Sequence, residues 1–543
     1  MRPDDSELID RWRAVPAPLL GLLHAFHDRD GFLSDEALRA VSEGLGVPLA
    51  DLYGTVSFYH HFARASGGRD APRVCDGPVC KARGSDALLA ELEGATPMPC
   101  AGRCDEPIPV LRGGECLVGT PGEGLRAAPT PLPPPNPGGL EECCFAHVRE
   151  EGRASLAGYG AGDGYRALAR AREMSAEALL DELDASGLTG RGGAGFPTAR
   201  KWRAVREAAG GPKTIVCNAD EGEPGCFKDR VLMDHDPHAV LEGMAIAGRA
   251  TGAMRGFVYL RYEYPHTQAI LEDAIEQARA ELGEFEIWVR RGAGAYICGE
   301  ETSLLNSLEG AHPFPRNRPP YPVTHGFEQT PTAVNNVETL ASVPPIVERG
   351  ADWYAGLGLG DQRGTKIISL SGDIRRPGNY EVPLGFSLRT LLFDWAGGGE
   401  DGRELQAVTM AGLSGGFLGA DAWDATLDEP CLRAHGSFLG AGGVMVFDER
   451  RDMVDIARQA MSFFADESCG KCFPCRIGTE RLTERLSGAA GPTRPELWKE
   501  QVHAIGHTMA QVSACGLGIA APLITESLLR HFPEQVDKTL ARR

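Results

Sequence analysis

Residues 187–202 read GLTGRGGAGFPTARKW, with Gly190, Gly192, Gly193 and Gly195 set around Arg191 and Lys201 close behind. Glycine at this density lets backbone N–H groups approach a phosphate or a flat ring, while the two cations supply charge. An ordinary loop would show the same pattern, and the acidic residue that completes a dinucleotide fingerprint is missing from its usual offset. The stretches that follow strengthen the reading. VCNADEGEPGCFKDRVLMDHDPH (216–238) comes after the strand-like TIVC and gathers Asn218, Asp220, Glu221 and Glu223 around Gly222, Pro224 and Gly225. GAGAYICGEETSLLNSLEG (292–310) places Tyr296, Gly299, Glu300 and Glu301 at a strand-to-helix turn. RNRPPYP (316–322) and TPTAVNNVETL (330–340) offer Arg318, Tyr321, Asn335 and Asn336. A charge run is usually a solvated face, and each stretch alone could be a turn. Four in succession argue for one site.

The whole chain has 543 residues, which at roughly 100–200 per domain predicts about three to five domains. Hydrophobic residues make up 42% and charged residues 24%, the composition of globular material. Lys and Arg number 55 against 75 Asp and Glu, and the net charge of −20 argues against nucleic acid or an anionic membrane as partner. There is no run of about 18 apolar residues. The opening MRPDDSELIDRWR lacks the apolar core of a signal peptide, so a cytoplasmic protein is expected.

Fifteen cysteines in a reducing compartment point to metal or iron–sulfur ligation rather than disulfides. Cys469, Cys472 and Cys475 form C-x2-C-x2-C, Cys75 and Cys80 form C-x4-C, and Cys100 and Cys104 form C-x3-C. Zinc is the rival for any cysteine quartet. The tight triple spacing suits a corner of an iron–sulfur cube better than the paired knuckles of a zinc site. Cys116, Cys217, Cys226, Cys298, Cys431 and the adjacent Cys143–Cys144 read as small packing residues.

Hydrophobic periodicity makes 1–65 a helical lead, with Ser34 placed to cap DEALRAV. Short strands and a helix follow over 66–125, with a hairpin expected at Gly113–Gly114. PTPLPPPNPGG (129–139), with six prolines, marks a linker over 126–148. The glycine-rich and acidic stretches fall in 149–345, a small α+β unit is read over 346–445, and 446–543 is helical by pattern.

Residues 187–340, together with ESCGKCFPCRIGTERL (467–482) and CGLG (515–518), resemble the NADH-binding flavoprotein subunit of complex I, NAD-reducing hydrogenases and NAD-dependent formate dehydrogenases. The likeness runs in order over about 150–535. Residues 1–120 are similar to the thioredoxin-like [2Fe–2S] subunit that accompanies that flavoprotein, as though the two were fused. The resemblance implies an α/β multidomain chain. Its parts would be a helical lead, a thioredoxin-like [2Fe–2S] domain, a Rossmann-like FMN/NAD domain, a ubiquitin-like SLBB-type unit and a helical [4Fe–4S] bundle.

The resemblance assigns Gly190, Arg191, Gly192 and Lys201 to the FMN phosphate and ring, and Asn218, Asp220 and Glu221 to the ribityl chain and ring edges. Tyr296, Gly299, Glu300, Glu301, Asn335 and Asn336 complete that pocket. Phe196, Glu223, Glu301, Arg318 and Tyr321 lie against NAD, whose 2′-phosphorylated form the acidic groups would repel. Cys469, Cys472, Cys475 and the remote Cys515 match a [4Fe–4S] set, and Cys75, Cys80, Cys100 and Cys104 a [2Fe–2S] set. Only 19 residues separate Cys80 from Cys100, fewer than the family usually has.

The family also has Lys at Arg318, Phe at Tyr321, an aromatic at Ala204 and Thr at Cys226. Hydride transfer would be carried by the cofactors, without a catalytic side chain. A large catalytic partner subunit is implied. The intact fusion with all eight ligand cysteines resembles the β subunit of a molybdenum or tungsten formate dehydrogenase, with hydrogenase and complex I as alternatives. A scaffold that transfers electrons without turning over nucleotide is the reading from a different class.

Overall fold

The computed structural model describes residues 3–162, 164–491 and 494–542. Its N-terminal part is four helices, Pro3–Arg13, Pro18–Asp30, Asp35–Leu45 and Leu49–Phe58. The Ser34 hydroxyl accepts the Ala37 N–H at 3.1 Å, the cap expected of it. Leu22, Leu23, Phe26, Leu38 and Val41 bury the inner faces. The chain then reaches the middle domain, where the N–H groups of His60 and His61 donate to the carbonyls of Gly294 and Ala293, both at 3.0 Å.

A five-stranded sheet follows: β1 (Arg73–Cys75), β2 (Thr96–Met98), β3 (Ile108–Arg112), β4 (Glu115–Thr120) and β5 (Gly124–Ala127), in the order β2-β1-β3-β4-β5. The β3–β4 hairpin turns at Gly113–Gly114, and β5 extends two residues beyond the expected edge at 125. The helix read between the cysteine pairs is Ser85–Glu91, strand β2 shares that interval, and a further short helix, Pro78–Ala82, carries Cys80 itself. The proline-rich segment is strapped down rather than free. Arg149 donates to the carbonyls of Pro133 (3.0 Å) and Pro134 (2.8 Å), and Arg103 to that of Pro129 (2.9 Å).

The middle domain is built on four parallel strands, β6 (Thr214–Ala219), β7 (Arg255–Leu260), β8 (Glu286–Arg291) and β9 (Thr332–Asn336), ordered β8-β7-β6-β9. β6 and β7 are buried nearly end to end, as expected of a parallel sheet covered on both faces. The helix Pro237–Thr251 is buried almost all round. Because β7 and β9 flank β6 on opposite sides, the chain reverses direction there. The carboxyl ends of β6 and β9 form the crevice where α/β sheets bind ligands.

A mixed sheet comes next, β11-β10-β16-β13-β14, from β10 (Thr365–Gly372), β11 (Gly378–Pro383), β13 (Leu405–Thr409), β14 (Phe417–Gly419) and β16 (Gly443–Asp448). β12 (Phe386–Ser387) pairs with β15 (Thr426–Leu427) beside it. β16 carries this unit to Asp448, three residues past the expected boundary. The helices Met453–Asp466, Phe473–Ser487, Pro495–Val512, Gly516–Ala520, Leu523–His531 and Pro533–Ala541 complete the chain. Among the described residues no helix is long and apolar enough to cross a membrane.

Candidate functional site

Three of the polar stretches leave the parallel sheet at its carboxyl edge, while the glycine loop precedes β6 and RNRPPYP precedes β9. Asn218 ends β6 and Asn335 and Asn336 end β9, while Tyr296, Gly299, Glu300 and Glu301 follow β8. The Asn218 side chain donates to the Gly299 carbonyl (2.8 Å) and accepts the Asp220 N–H (3.2 Å), tying two of the stretches together. Lys201 donates to the Val334 carbonyl at 2.9 Å and lies 3.5 Å from Glu301. Trp202 donates to Asn335 Oδ1 at 2.8 Å. The glycine loop packs against the β9 end: a side chain at Gly192 would place its Cβ 2.9 Å from that of Asn336.

Two residues of the expected flavin set have their charged heads held by protein groups. The Arg191 guanidinium is buried and donates to the Thr365 carbonyl (3.1 Å), Thr189 Oγ1 (2.6 Å) and the Tyr354 hydroxyl (2.7 Å), so it braces the glycine loop from behind. The Glu221 carboxylate accepts the Asp229 N–H (3.0 Å), the Arg230 N–H (3.3 Å) and the Tyr264 hydroxyl (3.0 Å). It thus serves the first turn of the helix Lys228–His235, and burial pushes its pKa up to about 7.

Glu223 accepts from the Tyr296 and Ser414 hydroxyls and the N–H groups of Leu413 and Ser414, which bridges the acidic stretch to the mixed-sheet unit. Glu300 caps the helix Glu301–Leu308, and Arg318 pairs with both Glu300 and Glu301. Phe196 (43% exposed) and Tyr321 (53% exposed) are open to solvent, with the Arg200 guanidinium 5.6 Å from the centre of the Phe196 ring. Cys226 is buried, and Ala204 sits on the helix Thr198–Glu207.

The residues present fit a flavin nucleotide. The Asp220 Oδ2 atom is buried with no hydrogen-bond partner, and burial raises its carboxyl well above the usual range. A lone buried acceptor at the carboxyl edge of a parallel sheet is a position a polyol or ring N–H would satisfy.

Both cysteine quartets converge. Cys469, Cys472, Cys475 and Cys515 line one recess of about 270 Å3 with Ile297, Pro315 and Leu517. Cys472 precedes the helix Phe473–Ser487 and Cys475 lies in its first turn, so the positive helix end faces the recess. Burial raises the thiol of Cys475 to about 12 and that of Cys515 to about 11. Such thiols ionise when a metal displaces their protons. Cys100 and Cys104 place their sulfurs 3.5 Å apart, the thiol of Cys75 is pushed up by its neighbours Cys100 and Cys80, and all four are buried. Both donor sets have the all-thiol chemistry of iron–sulfur ligation.

Gly518 in CGLG leaves no room for a side chain, because a Cβ there would lie 2.5 Å from Ser513 Oγ, 2.7 Å from Ser513 Cβ and 2.8 Å from the Cβ of Cys475. Gly518→Ala is expected to push the Cys515 segment outward and lower iron and sulfide at the [4Fe–4S] site about tenfold, on the scale of damaged outer-shell support. Iron and sulfide assays check this.

Sequence reasoning passed over Glu467, which accepts the Tyr296 N–H at 2.9 Å and contacts His60 at 3.0 Å. It fastens the loop of the cysteine triple to the loop after β8. Ser414, Leu413 and Arg261 were missed as well, since each is remote in sequence from the motif it supports. The thiols of Cys143 and Cys144 and the Glu381 carboxylate lie within 4.8 Å of one another. That carboxylate already accepts three backbone N–H groups and the Thr365 hydroxyl.

Comparison with known proteins agrees with this arrangement. The Nuo51 FMN-binding domain matches residues 183–345, the NADH-ubiquinone oxidoreductase-F iron-sulfur binding region 455–539, and the thioredoxin-like [2Fe-2S] ferredoxin 6–109. The chain is 44% identical to an NADH-quinone oxidoreductase subunit of Rhizobium meliloti, over 69% of this chain and 92% of that protein. It is 33% identical to the NAD-reducing hydrogenase HoxS subunit alpha of Cupriavidus necator, over 99% of this chain and 94% of that one. The crystal structure of an NAD+-reducing [NiFe]-hydrogenase in the H2-reduced state superposes with a TM-score of 0.83 at 34% identity, covering 96% of this chain and 93% of the other. The chain belongs to the family of NADH-binding flavoprotein subunits, carrying FMN and iron–sulfur clusters, that serve NADH-quinone oxidoreductases and NAD-reducing hydrogenases.

Proposed function

We propose that the chain oxidises or reduces NAD(H) at the carboxyl edge of the parallel sheet and exchanges single electrons with a separate catalytic subunit through its two cysteine quartets. FMN supplies hydride exchange with nicotinamide and the division of that pair into single electrons. The protein binds and orients. In this reading Gly190, Gly192, Lys201, Asn218, Asp220, Gly299, Asn335 and Asn336 hold FMN, and Phe196, Glu223, Arg318 and Tyr321 border the nicotinamide nucleotide. Glu300 and Glu301 hold Arg318 in place at the mouth, and Arg191 and Glu221 brace the loops from behind. The observation that carries the reading is the meeting, at one sheet edge, of an unpaired buried acceptor and two loops that lead directly to cysteine quartets.

The FMN-loaded chain is expected to reduce ferricyanide with NADH. Absence of activity in an FMN-replete sample would leave only an electron-transfer scaffold.

For the partner, the complete set of eight cluster cysteines supports a molybdenum- or tungsten-dependent formate dehydrogenase, with this chain as its β subunit. The likeness to the HoxS alpha subunit along nearly the whole chain favours a hydrogenase partner as the second reading. Mass spectrometry of the co-purifying large subunit separates them: a molybdopterin protein supports formate, a nickel–iron protein hydrogen.

A further inference from the structure

Arg261, one residue beyond β7, is 4% exposed, and its guanidinium spans three segments. Nη2 donates to the carbonyl of Cys100 at 2.6 Å, Nη1 donates to the carbonyl of Glu221, and Nε donates to Glu263 Oε2 at 3.0 Å. One side chain therefore touches the peptide of a candidate [2Fe–2S] ligand and that of the acidic flavin-binding stretch.

Its counter-ion is anchored just as firmly. Glu263 Oε1 meets His61 Nε2 at 3.1 Å, and His61 Nδ1 faces Arg73 Nη1 at 3.2 Å. Arg73 is a donor only, so Nδ1 accepts and the Nε2 proton is directed to Glu263. Arg73 itself starts β1, which ends at Cys75. The row Arg73–His61–Glu263–Arg261 thus begins and ends beside cysteines of the same quartet. Glu263, Arg261 and Cys100 also border the recess that holds Asp220 and Tyr296. Arg103 and Arg230 lie near the same cysteine loop but are matched by Asp105 and Glu106. Arg83 donates to the Cys104 carbonyl at 3.0 Å, but it is only half-buried, and water screens its charge more than that of Arg261.

We propose that Arg261, balanced by Glu263, is the positioning residue that sets the reduction potential of the [2Fe–2S] centre relative to the flavin. The inference rests on Cys75, Cys80, Cys100 and Cys104 being the ligands of that centre. Reduction adds one electron, hence one negative charge, to the cluster. A buried cation hydrogen-bonded to a ligand's peptide stabilises the reduced form, and a buried carboxylate beside it subtracts from that effect.

Anaerobic potentiometric titration of the full chain, with dithionite as electron donor and EPR detection, provides the test. In Arg261→Gln the reduced-to-oxidised ratio of the [2Fe–2S] centre at a fixed potential is expected to fall about tenfold, equivalent to about 59 mV for a one-electron couple. In Glu263→Gln the ratio is expected to rise by a similar factor, and in Arg261→Lys, which keeps the charge, to stay within about threefold. The [4Fe–4S] signal should hold its potential throughout. A general distortion of the loop would move all three variants one way, so shifts of the same sign, or none, overturn the proposal. If Arg261→Gln loses the cluster, Glu263→Gln decides by its sign. A wild-type chain without any [2Fe–2S] signal would remove the ligand assignment and the inference together.

Discussion

Cys475→Ser is expected to abolish the [4Fe–4S] signal and the passage of electrons beyond the flavin, while NADH still bleaches the flavin. Cys475 is 5% exposed and sits in the first turn of a 15-residue helix, with the Ser468 hydroxyl 3.3 Å from its sulfur. Burial holds its thiol near 12, a cost that iron repays when it takes the thiolate. A serine hydroxyl is a harder and far weaker acid, poorly matched to a soft sulfur-bound site. Loss of a direct ligand should exceed the roughly 10–100-fold that outer-shell changes cost in metal affinity. Iron analysis and low-temperature EPR measure the loss, and flavin absorbance under NADH measures what is spared. A variant with an undiminished cubane signal would reject Cys475 as a ligand.

The second large effect concerns stability. Glu338 is buried between two ammonium groups, Lys228 at 2.8 Å and Lys366 at 2.5 Å, and accepts the Ile367 N–H at 2.8 Å. It joins the helix after β9 to β10, close to where the Thr339 hydroxyl receives the Arg191 N–H at 2.8 Å and fixes the glycine loop. Glu338→Gln keeps the volume but leaves two buried cations short of a charge. Breaking a buried pair costs about 3–5 kcal/mol, and the urea midpoint at pH 7 should fall accordingly.

The pH dependence has a definite sign. Burial lowers the Lys366 pKa to about 8, below the roughly 10.4 of an unfolded lysine. Between those values the unfolded chain holds a proton that the folded one has lost, so this group adds stability as pH rises. The Glu338–Lys366 attraction is weaker there, so the variant's deficit should be smaller at pH 9 than at pH 7. An equal deficit at both would mean that Lys366 keeps its proton.

Where the chemistry is local, the sequence was legible. C-x2-C-x2-C is the start of one helix, the acidic stretch is the exit from one strand, and Ser34 caps the helix it precedes. The direction in which a side chain points was not legible. Arg191 and Glu221 carry the right charge in the right stretch, yet both turn inward because Tyr354 and the helix Lys228–His235 wait behind them. Glu467 and Arg261 were hidden for the complementary reason. Each supports a loop more than a hundred residues away, and nothing local marks such a residue. The domain edges read at 125 and 445 fall within strands, β5 running to Ala127 and β16 to Asp448, each held there by pairing with a neighbour.

The proposed function requires one polypeptide to convert a hydride into single electrons. Anaerobic titration of the FMN- and iron-loaded chain with NADH alone, read by flavin absorbance and EPR in the same sample, tests it most directly. The flavin is expected to bleach while an iron–sulfur EPR signal grows from the same NADH. A flavin that bleaches while every cluster stays oxidised, in a sample whose clusters dithionite does reduce, would contradict it.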